Sequence, residues 1–380
     1  MACTRTAICN MVLVSLLGGC RNDTEPPSVE PARGKPNPIV IASSAPAADA
    51  GNPWVERQVA ELRDRTLKWT PRDTPLQQIA FAGDKLFATL GDKIAVIDPN
   101  NKVDVVRFSV AGSHQLVALA DGAVLALGAK STLRIRPNAK SPEPVSQVLV
   151  FPQSLVYGSA SDPARLDAFD VLSGQVLGFG PSERPSFSSL WLPDVTLDVP
   201  ELKQARCGQL LDGTYACASS NQLLHLNPRS RAQVIGRLPA GLPIWKVLGG
   251  SRADQVWLAR DDGQMEKWWF GPPAKKLTSV LLPWTPLDVA LKRDTIAVVR
   301  IVQERAKPKE LTLVVLDTEG QQRFELSLMP ANDEKANLAE REILSAEVLV
   351  HGKRPWVAVR TSRGVRIVHA QTGEMLVEVQ

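Results

Sequence analysis

Histidine is scarce in this chain, and its few copies do not suggest a metal site. No two of them share the HxH or HxxxH spacing of zinc ligands, and they stand far apart at His114, His225, His351 and His369. The chain also lacks the G-x-S-x-G elbow of serine hydrolases. It has no Walker-type phosphate loop, since Gly249-Gly250-Ser251 is not followed by a lysine. We therefore expect no metal, no cofactor and no catalytic motif that is local in sequence.

An excess of charge of one sign is also lacking. Lys and Arg number 44 against 40 Asp and Glu, which leaves a net charge of +4 over 380 residues. Because nucleic-acid-binding proteins carry dense basic patches, this balance gives no case for a nucleic-acid partner. With 44% hydrophobic and 22% charged residues, the composition is that of a soluble globular protein. The length allows one large domain or two ordinary ones.

The apolar run near the N-terminus is too short to be a permanent membrane span. Residues 1–6 contain one cation, Arg5, and no acid, and residues 7–17 are almost entirely apolar. This pattern is typical of a secretory signal, whereas a membrane span needs about 20 apolar residues. The run ends in Leu17-Gly18-Gly19-Cys20, which resembles the lipobox of bacterial lipoproteins. An ordinary signal peptide that happens to contain a cysteine is the alternative.

The lipobox resemblance implies that residues 1–19 are a signal peptide and that Cys20 carries acyl chains such as palmitate. Two or three chains hold a protein stably on a bilayer, where one chain does not. Arg21 follows the cysteine, where an aspartate signals inner-membrane retention in some bacteria. We therefore expect a protein of the bacterial cell envelope, anchored by lipid to the outer membrane on its periplasmic or surface face.

Residues 20–53 are expected to comprise the lipidated cysteine and a disordered tether. The segment is rich in Pro, Ala, Ser, Gly and Asn and contains few large apolar residues. Its root-mean-square reach is roughly 30 Å. Residues 54–74 are expected to form a short amphipathic helix, because Val55, Val59 and Leu62 follow helical spacing, and a lead-in strand near Leu67 and Trp69.

Cysteine is scarce as well, with five copies in the chain. Cys3 and Cys9 lie in the predicted signal, and Cys20 takes the lipid, which leaves Cys207 and Cys217 as an even pair in an oxidising compartment. A three-residue loop at residues 211–213, with its glycine in the left-handed conformation, places the two cysteines opposite each other and predicts a disulfide. A two-residue turn would put the thiols on opposite faces. Two reduced, buried cysteines are the alternative.

From residue 75 onward the chain consists of short apolar or alternating runs separated by turn residues. Examples are residues 85–90, 93–97 and 295–299, and no run of strand, long helix and strand occurs. This spacing predicts an all-β sandwich, barrel or propeller. A unit of four strands recurs, and the turn after its third strand is expected near Pro99, Pro137, Ser173, Pro228, Pro272, Glu319 and Thr372.

These turns have a mean spacing of about 45 residues, the length of a four-stranded propeller blade. The longest interval, from Ser173 to Pro228, is expected to hold an insertion at residues 182–201. We therefore predict a β-propeller of seven four-stranded blades over residues 75–380. A pair of β-sandwiches is the alternative.

Several segments resemble known propeller repeats. Residues 167–177 and 365–375 are similar to the quinoprotein-type repeat, in which a strand ending in Asp is followed by a Thr/Ser-Gly turn and a returning strand, and residues 313–320 form a shorter version. Residues 254–259 resemble the second strand of sensor-type, WD-like repeats. The resemblance implies a propeller. A quinone-dependent dehydrogenase would need a Ca²⁺ site of Glu, Asn and Asp, and no such set can be placed here.

Tryptophan is concentrated in one region, with five of the nine copies between Trp245 and Trp284. Strand alternation points the neighbours Trp268 and Trp269 to opposite faces. Both belong to the core if the blades cover both faces, and otherwise they form an exposed binding patch.

We therefore expect a non-catalytic, monomeric envelope lipoprotein whose propeller binds a protein or other ligand. Its expected partners are the membrane, through the lipid, and an envelope protein. The alternative is a hydrolase or lyase whose active site is assembled across blades. Three convergent ionisable side chains at one mouth of the channel would favour the enzyme.

Overall fold

The computed structural model describes residues 78–380, except for residues 102–104, 110–113, 129–131, 146, 149–154, 160–164, 171–173, 182–189, 204, 220, 228–231, 240–241, 283, 285, 303–309 and 330–345. The predicted signal, Cys20, the tether and the helix of residues 54–74 lie outside the described part. Within it, 29 strands form seven antiparallel sheets of four consecutive strands each, one sheet having a fifth strand.

The first four sheets, or blades, are built as follows. Blade 1 comprises β1 (Ile79–Ala82), β2 (Lys85–Leu90), β3 (Lys93–Ile97) and β4 (Val105–Ser109). Blade 2 comprises β5 (His114–Ala118), β6 (Val124–Gly128), β7 (Thr132–Ile135) and β8 (Glu143–Val145). Blade 3 comprises β10 (Leu155–Gly158), β11 (Leu166–Asp170), β12 (Gln175–Pro181) and β13 (Leu190–Asp198), with β9 (Gln147–Val148) added in parallel to β13. Blade 4 comprises β14 (Arg206–Gln209), β15 (Tyr215–Ala218), β16 (Gln222–Leu226) and β17 (Gln233–Arg237).

The last three blades have longer strands. Blade 5 comprises β18 (Ile244–Gly249), β19 (Gln255–Arg260), β20 (Gln264–Trp269) and β21 (Lys275–Leu281). Blade 6 comprises β22 (Pro286–Lys292), β23 (Thr295–Val302), β24 (Glu310–Leu316) and β25 (Gln322–Met329). Blade 7 comprises β26 (Glu347–Val350), β27 (Trp356–Thr361), β28 (Gly364–His369) and β29 (Met375–Val379). A 3-10 helix at Pro200–Leu202 follows β13.

The core consists of seven apolar clusters, one at each contact between neighbouring blades. Blade 7 shares such a cluster with blade 1, in which Ile79 and Leu86 pack with Val365 and Ile367. The ring is therefore closed, and the fold is the predicted seven-bladed β-propeller. Because each blade is covered on both faces, its middle strands are apolar at consecutive positions, as in β24, where residues 311–316 are all buried.

The first strand of each blade contacts the first strands of the neighbouring blades and is called its inner strand. Neighbouring inner strands run in the same direction. Gly208 of β14 lies against Val247 of β18. The next residue of β14, Gln209, lies against Gly249, which is two residues further along β18. All inner strands therefore begin at one face, here called the entry face, and end at the opposite, exit face. Since the four strands of a blade alternate in direction, the first and third turns of each blade also lie at the exit face.

Six of the seven predicted turns lie between the third and fourth strands of their blades, and the prediction for Ser173 is wrong. Ser173 lies between β11 and β12, the second and third strands of blade 3. The third-to-fourth connection of that blade is at residues 182–189. The predicted insertion at residues 182–201 therefore contains the outer strand β13 itself. The Ser173 turn was assigned to the wrong pair of strands because the quinoprotein-like motif joins the second and third strands in blade 3. In blades 6 and 7 the same motif lies at the third and fourth strands.

Candidate functional site

The two cysteines of blade 4 face each other as the three-residue loop requires. Cys207 of β14 pairs directly with Cys217 of β15, and Gly213 in the loop has a φ of +82°. The Cα atoms of the cysteines are 4.1 Å apart, and both residues are buried against blade 3. The predicted register is thus confirmed, and a disulfide is possible here. Its formation in the protein remains a prediction.

The neighbouring tryptophans of β20 have different environments. Trp268 is 5% exposed and packs in the cluster between blades 4 and 5, whereas Trp269 is 37% exposed. The indole of Trp269 lies over Gly271, where an added Cβ would approach its Cζ2 atom to 2.2 Å. Of the pair, Trp269 is therefore the one accessible to a partner.

A buried ionic network in blade 5 includes the indole of Trp268. Glu266 of β20 accepts hydrogen bonds from Arg260 at 3.1 Å, from the Trp268 indole at 3.2 Å and from Lys276 at 2.8 Å. Burial raises the pKa of the Glu266 carboxyl, but these hydrogen bonds outweigh burial and leave the pKa below its usual value. Because Lys276 belongs to β21, the network joins the outer strand to the middle of blade 5. Arg260 also donates to the Leu242 carbonyl, which fixes the connection from blade 4.

Exposed apolar side chains are concentrated in one sector of the ring. The described part of the chain has seven large exposed ones, and six of them belong to blades 4 and 5 or their connection: Leu211, Val234, Leu242, Trp269, Leu277 and Leu281. The remaining one, Val106, is on blade 1. Single exposed apolar residues are normal on a protein surface, whereas a contiguous apolar area is typical of an interaction site. By strand direction, Leu242 and Leu281 lie towards the entry face. Leu211 and Trp269 both lie at the exit face.

Ionisable side chains also converge on the inner strands near the entry face. Lys246 of β18 pairs with Asp288 of β22, which also accepts a hydrogen bond from the backbone N–H of Val348 at 2.8 Å. Glu347 of β26 accepts a hydrogen bond from the backbone N–H of Gln78 at 2.8 Å. Burial and the neighbouring Asp288 carboxylate raise the pKa of Glu347, the Gln78 hydrogen bond and the nearby cations oppose them, and the pKa is about 8.

The histidines whose side chains the structure describes all bind neighbouring groups of the fold. His351 contacts the Gly83 carbonyl at 2.8 Å, His225 contacts the Thr214 hydroxyl at 2.9 Å, and His369 lies within its own turn near Thr372. His114 begins β5. Among the described residues no group of three or more His, Cys, Asp or Glu is placed to hold a metal ion. No helix in the same part of the chain has the length and apolarity needed to cross a membrane.

The sequence reasoning did not identify Glu266, Asp288 or Glu347. The last two share a signal that could have shown them: each is a charged residue directly before an apolar inner-strand run, as Lys246 is in blade 5. Aligning the seven inner strands would have placed these three residues at corresponding positions. Glu266 has no such signal, because its partners Arg260 and Lys276 come from two neighbouring strands.

The fold and this surface together define a β-propeller with an apolar sector and an ion-paired entry face. Among solved structures, the chain is similar to the β-propeller domain of Myceliophteria thermophila Cps50 (Swd1), with 11% identity, a TM-score of 0.53 and coverage of 78% of this chain and 97% of that one. It is also similar to Saccharomyces cerevisiae Sqt1, with 8% identity, a TM-score of 0.50 and coverage of 80% and 84%. The Neurospora crassa Pan2 WD40 domain matches at 12% identity with a TM-score of 0.42. No protein-family model and no curated protein matches the sequence. At these identities the similarity shows the fold alone.

Proposed function

We propose that this chain is a binding module of the bacterial cell envelope, held on a membrane by lipid on Cys20 and binding a protein partner through blades 4 and 5. The observation that carries the proposal is that six of the seven exposed large apolar side chains of the described residues belong to this sector. Trp is among the residues that contribute most to protein interfaces when a partner buries it. The propeller supports such a role because it presents loops on two faces of a rigid ring.

The partner site is tested by photocrosslinking in the bacterium that produces the protein. A benzoyl-phenylalanine placed at Trp269 or at Leu211 is expected to give an adduct with the same partner, since both positions lie at the exit face. Val106 is the matched control, because it is apolar and its exposure lies between those of Trp269 and Leu211, but it belongs to blade 1. Adducts of equal yield from all three positions, or none from Trp269 and Leu211, would refute a partner site in this sector.

An enzyme assembled across blades is the second candidate, and one observation favours it. Lys246, Asp288 and Glu347 converge near one mouth of the channel, and a carboxyl with a pKa of about 8 is suited to general acid–base catalysis. Against it, Asp288 is paired with Lys246, and each carboxylate binds a backbone N–H of the next blade. Hydrolysis or elimination on a panel of ester, glycoside and uronide substrates that is lost in Glu347→Gln would establish the enzyme.

A further inference from the structure

The outer edge of blade 1 carries the one exposed large apolar side chain of the described residues that lies outside blades 4 and 5 and their connection. Val106 of β4 is 42% exposed. It pairs with Val96 of β3, and Val96 and Phe108 pack in the cluster shared with blade 2, so Val106 lies on the same face of the blade. In the described residues β4 pairs with β3 alone, which leaves its outer edge open. An apolar side chain beside an open edge is a place where a further strand can bind.

Blade 3 shows how this chain covers such an edge. There β9 pairs in parallel with the outer strand β13, and six residues separate β9 from the inner strand β10. A segment that precedes the first strand of a blade is thus added to the outer edge of the same blade. Blade 1 is preceded in the same way by residues 1–77.

A segment shortly before β1 can reach the outer edge of blade 1. The backbone N–H of Gln78 donates to the Glu347 carboxyl of blade 7 at 2.8 Å, which fixes the end of the preceding chain at the entry face. A fifth strand lies four strand spacings from β1, or about 19 Å. Residues 71–77 span up to about 25 Å when extended, so they cover this distance. Since β4 runs from the exit face to the entry face, a strand parallel to it ends at the entry face, where Gln78 is held.

Residues 66–70, with the sequence Thr-Leu-Lys-Trp-Thr, suit an edge strand. Leu67 and Trp69 alternate with polar residues, so in a strand they share one face. Pro71 follows directly and ends the run, because proline is confined to edges and ends of sheets. The segment therefore offers one apolar face of two large side chains.

The outer edge of blade 7 is equally near, but it suits this segment less well. None of the large apolar side chains of β29 is exposed, and its Glu378 is paired with Arg366. Leu67 and Trp69 would find no exposed apolar neighbour on β29, whereas β4 offers Val106.

We propose that residues 66–70 form a fifth strand of blade 1, parallel to β4, with Trp69 beside Val106. Aromatic and β-branched side chains on neighbouring strands stabilise a sheet when they lie side by side. This register places Thr70 beside Arg107, which keeps the lysine of the segment away from that cation. The short connection to β1 gives the segment a high effective concentration at the edge, so binding within the chain is favoured over binding of another chain.

The fifth strand has two consequences for the molecule. It covers an edge that would otherwise be free to pair with another chain. It also moves the point at which the predicted tether leaves the ring from β1 to the rim of blade 1, at the exit end of β4. The inference goes beyond the proposed function, because it concerns the chain's own N-terminal segment and not the partner.

Photocrosslinking of the full-length protein tests the contact directly. Benzoyl-phenylalanine at Val106 is expected to give an adduct within one chain, in which the peptide that contains residue 106 is joined to the peptide that contains Trp69. Leu277 of β21 is the control position, because it is exposed to a similar extent but belongs to blade 5, and it is expected to give no adduct with that peptide. An adduct of residue 106 with a second copy or with another protein, or no adduct at all, would overturn the fifth strand.

Hydrogen exchange and two substitutions complete the test. Amides of residues 66–70 are expected to exchange at least roughly tenfold more slowly than those of residues 21–53, after correction for intrinsic rates. Trp69→Asp places a charge beside Val106 and is expected to remove both the protection and the adduct, whereas Lys68→Ala, on the opposite face, keeps both. Equal protection in the two variants, or exchange of residues 66–70 at the rate of residues 21–53, contradicts the proposal. The adduct at residue 106 adds no partner mass, so Val106 stays a valid control in the test of the partner site.

Discussion

The phenol of Tyr215 in blade 4 donates a hydrogen bond to the carboxylate of Asp167 in blade 3, and the two oxygens are 2.8 Å apart. Both residues are buried, and the Tyr215 ring packs at 4.5 Å from Phe169 of blade 3. Burial and the negative charge of Asp167 hold the pKa of Tyr215 far above its usual value, so the phenol stays protonated and remains a donor. This bond joins the middle strands of two blades.

Removal of the Tyr215 hydroxyl is expected to destabilise the propeller while leaving its packing intact. Tyr215→Phe deprives a buried carboxylate of a donor, which costs about 1–3 kcal/mol of unfolding free energy. Urea unfolding at pH 7 measures the loss. Thr278→Val, which removes an exposed hydroxyl from β21, is the control and is expected to leave the midpoint unchanged. Equal midpoints for both variants would show that the Tyr215–Asp167 bond contributes nothing to stability.

Loss of a carboxylate from the ionic network of blade 5 is expected to destabilise the protein more than loss of the Tyr215 hydroxyl. Glu266→Gln removes the carboxylate that Arg260 binds in the described part of the chain, and the Arg260 side chain is 3% exposed, so the guanidinium loses its buried counter-charge. Breaking a buried pair by removing one partner costs about 3–5 kcal/mol. Glu325→Gln, which removes the partly exposed partner of Arg300, is the matched control and should cost far less, because water screens that pair. Urea unfolding of both variants decides whether burial sets the difference.

The fold was predictable because its signals are local and repeated. Turn chemistry alone placed Cys207 opposite Cys217, and period-two alternation placed Trp268 and Trp269 on opposite faces. Which indole is buried depends on Glu266 and on the neighbouring blade, so the sequence alone could not decide it. Glu347 and Gln78 are 269 residues apart, and only ring closure brings them together. The turn at Ser173 was assigned to the wrong pair of strands, because a local motif does not show which two strands of a blade it joins.

Gly208 lies at a contact between blades 4 and 5 that is too close for a side chain. A Cβ at Gly208 would lie 2.3 Å from the Val247 carbonyl oxygen, an atom of a buried backbone that cannot move aside. Gly208→Ala is therefore expected to destabilise the protein by about 1–3 kcal/mol, the usual cost of overpacking. Gly352→Ala is the control, since nothing lies within 4 Å of its added Cβ and its φ is not left-handed. Thermal unfolding that shifts equally in both variants would contradict the tight packing at Gly208.

The proposed membrane anchor is tested by Cys20→Ser. Without the thiol no diacylglycerol can be attached, so the variant is expected to move from the detergent phase to the aqueous phase in Triton X-114 partitioning. Cys9→Ser, which lies in the predicted signal peptide, is the control and is expected to partition like the parent. A Cys20→Ser protein that stays in the detergent phase would place the anchor elsewhere in the chain.

The last prediction is that Cys207 and Cys217 form a disulfide in the exported protein. The two residues are paired across β14 and β15 with their Cα atoms 4.1 Å apart, slightly closer than the roughly 4.4–6.8 Å usual for a bridge, so the thiols are within reach of each other. The bond closes a loop with a sequence separation of 10, so it is expected to add at most about 3 kcal/mol, and less if the hairpin already forms in the unfolded chain. Alkylation of free thiols followed by non-reducing mass spectrometry is expected to show neither residue modified. A Cys207→Ala, Cys217→Ala double variant should unfold at lower urea than the oxidised parent and at the same urea as the reduced parent, because the hairpin packing is otherwise retained. Two alkylated cysteines in the exported protein would contradict the bridge, and they would leave the pair as small apolar residues of the contact between blades 3 and 4.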